Sequence, residues 1–126
     1  MRREWRDGPA LLTVLGEDEE VAHTVPLEVA ASYRARTRGL LGRDGIEGAL
    51  LLTPAGSVHT FRMRFAIDVA YLDRAGRVLA VRTMRPGRLG LPRPRARRVL
   101  EAEAGAMGGW GLRAGGRVRL TAVETG

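Results

Sequence analysis

Cysteine, lysine, asparagine and glutamine are all absent from this chain of 126 residues. The absence of cysteine excludes disulfides, thiolate nucleophiles and cysteine-ligated metal sites. No apolar run approaches the roughly 18 to 20 residues that a membrane-spanning helix needs. The amino terminus is basic, but no sustained apolar segment follows it, so an export signal is not indicated. For the chain as written we expect a soluble, cytoplasmic protein.

Side chains that perform nucleophilic or metal chemistry are scarce. The serines and histidines are Ser32, Ser57, His23 and His59. Ser57 lacks the context of a nucleophile elbow, which argues against a hydrolase triad. No closely spaced histidine pair exists, so a metal site would need distant carboxylates such as Asp68 and Glu101. We therefore predict neither a metal nor a cofactor.

The positive charge is concentrated in one segment. All 21 basic residues are arginine, and the formal net charge is +7. Residues 1–73 hold nine arginines and eleven acids (9 − 11 = −2), residues 74–100 nine arginines and no acid (+9), and residues 101–126 three of each (0). Glycine and proline predict an exposed basic loop at residues 84–98. A solvated loop is favoured over a nucleic-acid surface, because no aromatic residue interleaves the arginines.

Short β-like segments, separated by turn signals, recur along the chain. Pro26 indicates that the second segment bends or lies at a sheet edge. Ser32 is a predicted N-cap for a helix over residues 33–41, with Gly42 as its stop. The β-like segments span residues 10–15, 20–30, 49–53, 77–84, 96–104 and 116–123.

These elements predict one mainly β (α+β) domain over residues 1–126. We expect a small barrel-like or strongly bent mixed or antiparallel sheet with one short helix near residues 33–41. The termini, residues 1–9 and 124–126, are expected to be flexible.

Residues 57–81, "SVHTFRMRFAIDVAYLDRAGRVLAV", raise the main functional question. Odd positions from His59 to Tyr71 are mostly apolar, and even positions are mostly polar. A straight strand of that length would measure about 40 Å, well beyond an ordinary strand. The stretch should therefore break around residues 63–66, where a bulge would place Asp68 on the same side as His59. Otherwise His59 only ends a core row at the rim of a barrel.

Four blocks, in this order, resemble the family called domain of unknown function 192: "YRARTRGLLGRDGIEGALLL", "VHTFRMRFAIDVAYLDRAGRVLAV", "RRVLEAEAG" and "GLRAGGRV". The resemblance covers about residues 20–121. It implies a small, mostly β domain of bacteria and archaea, sometimes exported, with no established activity and no cofactor. Many relatives have aspartate where this chain has Gly116. The matching positions are Arg36, Gly39, Leu40, Arg43, His59, Thr60, Phe61, Met63, Ile67, Asp68, Glu101, Gly105 and Gly115.

We interpret five of these side chains as one candidate polar pocket. The leading hypothesis is a non-catalytic binding or accessory module that recognises a small anionic or polyhydroxyl ligand, or an acidic partner. A structural hypothesis is an arginine–carboxylate network that pins the helix onto the sheet. Two competing functions are an enzyme that uses His59 with Asp68 or Glu101 as acid and base or metal site, and nucleic-acid binding through the basic loop. The candidate pocket residues are Arg36, Arg43, His59, Asp68 and Glu101.

Overall fold

The computed structural model describes residues 5–123, which form a seven-stranded mixed sheet with two short helices. The mainly β prediction is confirmed. Residues 1–4 and 124–126 of the termini lie outside the described residues, whereas Gly8 and Pro9 begin the first strand. The elements are β1 (Gly8–Leu15), β2 (Val21–Ala30), α1 (Tyr33–Arg38), β3 (Ala49–Leu52), β4 (Ile67–Leu72), β5 (Val78–Met84), β6 (Arg98–Glu103), α2 (Ala106–Gly109) and β7 (Arg117–Ala122).

The strands are ordered β5-β4-β6-β3-β2-β1-β7. Every neighbouring pair is antiparallel except β2 and β3, which run parallel. β4 is buried at all six positions, because an apolar cluster covers each face of the sheet. Ala70 and Leu72 pack into the first cluster, with Leu100 and Met107. Val69 and its odd-numbered neighbours pack into the second, as the two-residue period of a strand requires.

The sheet is not closed into a barrel, so the mixed sheet is the form that the chain adopts. β5 and β7 approach each other only at one end, through an antiparallel bridge between Arg77 and Arg117. There the Val118 amide donates to the Gly76 carbonyl at 2.9 Å. Gly76 has φ 85°, and an added Cβ would lie 2.5 Å from the Val118 oxygen. Glycine is therefore required where the two edges meet.

The helix predicted over residues 33–41 is shorter than expected. The Ser32 side chain accepts a hydrogen bond from the Ala35 amide at 3.1 Å, which confirms the N-cap. The helix ends at Arg38, with Gly39 as its C-cap, so the prediction that Gly42 stops it is wrong. A second short helix, α2, was not predicted. Neither helix within residues 5–123 is long and apolar enough to cross a membrane.

β2 is an interior strand, so the edge position suggested by Pro26 is wrong. Pro26 faces Leu11 of β1, and β3 pairs with β2 only from Leu27 onward. The proline therefore precedes the parallel ladder, where its missing amide hydrogen would otherwise leave a gap. An added Cβ at Gly48 would lie within 2.1 Å of the Pro26 oxygen, so the loop before β3 passes very close to this point.

Candidate functional site

The stretch from His59 to Tyr71 is broken, as its length predicted. The Met63 amide donates to the Thr60 carbonyl at 3.2 Å, Arg62 has φ 63°, and β4 begins only at Ile67. The break is thus a turn over residues 60–63, slightly before the predicted residues 63–66, and not a bulge within one strand. His59 lies outside the sheet, bridged to Leu89 of the basic loop.

Asp68 lies on the face of the sheet that carries the first apolar cluster, and it is 3% exposed. Its carboxylate accepts hydrogen bonds from the Thr83 hydroxyl at 2.7 Å, the Gly105 amide at 2.9 Å and the Met107 amide at 3.1 Å. These bonds join β4 to β5 and to the start of α2. Asp68 therefore links the sheet to the start of α2, which follows β6 in the chain.

Asp68 and Glu101 point to opposite faces of the sheet. In the register between β4 and β6, Asp68 faces Ala102, and Glu101 faces Val69. Ala102 belongs to the first apolar cluster and Val69 to the second. The two carboxylates cannot work as an acid–base pair, and the expectation that Asp68 shares a pocket with His59 is not met.

Arg43 also lies apart from the other predicted residues. Its guanidinium donates to both carboxylate oxygens of Glu28, at 3.1 and 2.9 Å, in a partly exposed ion pair. The hydrogen bond to Glu28 raises the pKa of Arg43. This pair ties the loop after α1 to β2, so one arginine of the predicted structural network is engaged with an acid outside that network.

The other three predicted side chains, Arg36, His59 and Glu101, line one cleft of about 100 Å³. We call it the Glu101 cleft; it lies between the end of α1 and the segment with His59 that precedes the turn. Apolar side chains including Leu52 and Met63 line the rest. Glu101 is brought here by β6, where it is paired opposite Leu50 on the face of the second apolar cluster.

Glu101 is a buried carboxyl group, only 4% exposed. No hydrogen bond or ion pair within residues 5–123 engages its side chain. An added Cβ at Gly39 would lie 3.9 Å from its Oε1, so the helix C-cap borders the carboxyl group. Burial raises the pKa of Glu101 to about 7, because removal from water disfavours the charged form. The group can therefore donate or accept a hydrogen bond near neutral pH.

Arg36 also lines the Glu101 cleft, and backbone carbonyls hold its guanidinium group. Its Nε donates to the Ala31 carbonyl at 3.2 Å and its Nη1 to the Pro54 carbonyl at 3.3 Å. No carboxylate of the described chain lies within 4.0 Å of it. Guanidinium has five N–H donors, so several remain for a ligand.

An aromatic pair stands beside the Glu101 cleft. The rings of His59 and Phe61 are stacked, with centroids 5.0 Å apart and planes at 20°. Phe61 is 46% exposed, and His59 is also exposed. The alternation of polar and apolar residues suggests core positions for both side chains. Because of the turn at residues 60–63, both rings lie at the surface instead.

The described part of the chain contains no cluster of side chains that could bind a metal ion. Among residues 5–123 no group of three or more histidine, aspartate or glutamate side chains converges. His23 is exposed on β2, and Asp68 is engaged on the other face of the sheet.

Several arginines of the basic loop have structural contacts. The Arg93 guanidinium lies 4.8 Å from the ring centroid of the buried Tyr71. Arg97 donates to the carbonyls of Pro94 and Ala96. Burial and the nearby Arg74 lower the pKa of Arg98, in that order of size. Arg93 and Arg97 therefore also contribute to the packing of the loop, as well as carrying charge.

The sequence did not point to a further depression of about 600 Å³. It lies where β5 and β7 meet and is bordered by the Arg117–Glu19 ion pair, whose atoms are 2.6 Å apart. Arg77 and the glycine-rich residues 111–116 line it as well. Its acidic and basic residues lie far apart in the chain, so no local motif could have indicated this depression.

Comparisons with known proteins agree on the family. A UPF0127 protein of Pyrococcus horikoshii is 29% identical over 97 residues, covering 73% of this chain and 84% of the relative. One from Thermococcus gammatolerans is 33% identical over 85 residues, covering 63% and 56%. Two crystal structures share the fold. A Novosphingobium aromaticivorans protein of unknown function gives a TM-score of 0.73 at 19% identity, covering 86% of this chain and 83% of that one.

The second structure, from Sinorhizobium meliloti, is described provisionally as a transcription regulator. It gives a TM-score of 0.70 at 16% identity, covering 93% of this chain and 97% of that one. The sequence model of domain of unknown function 192, described as "Uncharacterized ACR", matches residues 13–120. The chain therefore belongs to the domain of unknown function 192 family, whose activity is not established.

Proposed function

We propose that this protein is a small binding module that recognises a polyhydroxyl ligand in the Glu101 cleft. The observation that carries the proposal is the carboxyl group of Glu101, which is 4% exposed and has no partner among the described residues. Burial disfavours the charged form of this carboxyl group, as its raised pKa shows. A ligand hydroxyl that donates a hydrogen bond to the carboxylate would stabilise the charged form.

The chemistry of the Glu101 cleft favours hydroxyl groups. A hydroxyl donates one hydrogen bond and accepts others, so adjacent hydroxyls can donate to the carboxylate of Glu101 and accept from the guanidinium of Arg36. An anion suits the arginine but is repelled by the glutamate unless a proton is bound. The polyhydroxyl class is therefore favoured over an anionic ligand or an acidic partner.

The size of the Glu101 cleft and its aromatic border fit the edge of a ring. A volume of about 100 Å³ is below the roughly 300–1,000 Å³ of sites that enclose a whole ligand. A diol edge would enter, while the rest of the ligand stays outside. There the stacked His59 and Phe61 rings offer an apolar surface to its C–H groups.

The test is a titration by protein-observed NMR with glycerol, myo-inositol, glucose, acetate and inorganic phosphate. We expect a polyol to shift the amide signals around Gly39 and Glu101 saturably. Glu101→Gln should weaken that binding about tenfold or more, since hydrogen bonds to charged groups are worth about 1.5–3 kcal/mol. Glu103→Gln is the matched control, because Glu103 lies on the same strand but is exposed. If no polyol gives a saturable shift, the proposal fails.

The pH dependence of binding separates a polyol from an anion. The affinity for a polyol should rise as Glu101 ionises near pH 7, because the carboxylate accepts stronger hydrogen bonds. The affinity for phosphate or acetate should fall over the same range. His59→Ala should also weaken binding, whereas His23→Ala should not, since His23 lies on β2 outside the Glu101 cleft.

General acid–base catalysis is the second candidate, and the raised pKa of Glu101 favours it. A carboxyl group that titrates near pH 7 suits proton transfer at neutral pH. Slow chemical conversion of a bound ligand, followed by NMR and lost in Glu101→Gln, would place the site among enzymes. An unchanged ligand after prolonged incubation would retain the binding role.

A further inference from the structure

A buried residue, Thr60, holds the first half of the basic loop, residues 84–98, in a defined conformation. Thr60 is 0% exposed. Its hydroxyl donates to the Arg85 carbonyl at 2.6 Å and accepts from the Arg88 amide at 2.8 Å. Its backbone amide donates to the Arg88 carbonyl at 2.8 Å, and its carbonyl accepts from the Gly87 amide at 2.7 Å. The first half of the loop is therefore preorganised.

Gly90 lies against the core and leaves its neighbours exposed. Its amide donates to the Val58 carbonyl at 2.8 Å, and an added Cβ would lie 2.8 Å from the Tyr71 hydroxyl. Because the chain approaches the core so closely at Gly90, the leucines on either side project outward. Leu89 is 69% exposed and Leu91 is 77% exposed. The loop therefore presents two exposed leucines in a defined position, which a flexible basic tail would not.

The surroundings of the two leucines are strongly basic. Arg85, Arg88 and Arg95 are exposed, and no hydrogen bond or ion pair within residues 5–123 engages their guanidinium groups. Neither the loop nor the neighbouring residues 55–66 contain an acid. Pro92 and Pro94 of the loop and Leu79 of β5 contribute the apolar part of a shallow depression that Arg93 and Arg95 also line. The surface combines exposed aliphatic groups with uncompensated cations.

We infer that the basic loop docks on an anionic lipid bilayer, with Leu89 and Leu91 inserted among the acyl chains and the guanidinium groups of Arg85, Arg88 and Arg95 on the headgroups. Aliphatic side chains framed by cations suit the boundary between headgroups and acyl chains. A nucleic-acid surface would instead present aromatic rings between the arginines to stack on bases. This inference is independent of any ligand in the Glu101 cleft.

The experiment is co-sedimentation of the full chain with vesicles of phosphatidylcholine containing phosphatidylserine, compared with phosphatidylcholine alone. We expect binding only to the anionic vesicles, weakened by salt. Replacement of Arg85, Arg88 and Arg95 by glutamine should lower the partition coefficient about fivefold per arginine, hence about a hundredfold together. Leu89→Ala and Leu91→Ala should each lower it roughly tenfold.

Two matched controls have the same chemistry elsewhere on the surface. Arg6, Arg34 and Arg119 are exposed, so their replacement by glutamine removes the same charge outside the loop. Leu11→Ala and Val21→Ala remove exposed apolar groups of β1 and β2. Neither control should change vesicle binding more than about twofold, and melting temperatures would verify that all variants fold.

Three results would overturn the inference. Equal losses in the two arginine triples would mean that net charge alone drives adsorption. Unchanged binding of the leucine variants would exclude insertion. Tight binding of a single-stranded oligonucleotide, lost in the loop triple while anionic vesicles are ignored, would assign the loop to nucleic acid.

Discussion

Replacement of Asp68 tests whether this residue stabilises the fold or takes part in ligand binding. Its carboxylate accepts three hydrogen bonds, from Thr83, Gly105 and Met107, and is 3% exposed. Asp68→Ala removes all three and leaves two backbone amides without their partner. Hydrogen bonds to charged groups contribute about 1.5–3 kcal/mol each, and each orphaned buried donor costs about 1–3 kcal/mol. Since such contributions are not additive, we expect a total loss on the order of 4 kcal/mol.

The assay is thermal and denaturant unfolding followed by circular dichroism. For a domain of this size, a loss on the order of 4 kcal/mol corresponds to a fall in melting temperature of about 15 °C. Thr83→Val removes one of the three bonds and should cost about 1–2 kcal/mol. Asp44→Asn is the control. The Asp44 side chain is 86% exposed and pairs with Arg64 at the surface, so a loss below about 1 kcal/mol is expected.

The double variant Asp68→Ala with Thr83→Val tests the hydrogen bond between these two side chains. Because Asp68→Ala already removes the Thr83 bond, the double variant should lose less than the sum of the two single losses. If Asp68→Ala instead leaves the melting temperature within about 2 °C of the parent and abolishes polyol binding, our assignment of Asp68 as a structural residue is refuted.

Three further perturbations follow from the structure. The pKa of Glu101 is raised from 4.5 to about 7, so between these pH values the folded chain binds more protons than the unfolded chain, and its stability falls as pH rises. The free energy of unfolding of Glu101→Gln should therefore rise relative to that of the parent between pH 4 and pH 8, by at most about 3 kcal/mol. An equal rise in Glu103→Gln would mean that the titration of Glu101 is not the cause. Thr60→Val should lower the free energy of unfolding by about 1–3 kcal/mol, because the partly buried Arg85 carbonyl and Arg88 amide lose their hydroxyl partner. Proteolysis of the basic loop should accelerate in parallel, and an unchanged cleavage rate would count against this anchoring. Gly76→Ala should cost at least about 2 kcal/mol in denaturant unfolding, because φ 85° and a 2.5 Å approach to an oxygen both oppose a side chain; full stability would mean that the β5–β7 junction is dispensable.

The strand segments could be predicted from the sequence because glycine and proline punctuate them. The turn at residues 73–76 joins β4 to β5 as expected, with Gly76 at positive φ. The strand order could not be predicted. The parallel pairing of β2 with β3 depends on contacts across the chain that leave no local pattern. α2 was missed because three of the five residues "GAMGG" are glycine, which disfavours helix by propensity.

The candidate site was predictable only in part. Arg36, His59 and Glu101 meet in one cleft, whereas Arg43 and Asp68 are engaged elsewhere. The length of the segment required a break after His59. The face of the sheet on which Asp68 lies depends on the number of residues in the turn. The alternation of polar and apolar residues does not reveal that number, and a difference of one residue moves every following side chain to the opposite face of the sheet.

The single bridge between β5 and β7 leaves most of both strands as free sheet edges. An uncovered edge is a template on which a second copy of the chain could add a strand. Neither strand contains an acid, and Arg82 on β5 and Arg119 on β7 are exposed. Two copies aligned edge to edge would bring guanidinium groups together without a counter-charge. Repulsion between these guanidinium groups would oppose such edge-to-edge pairing, and it should weaken as salt shortens the range of the repulsion.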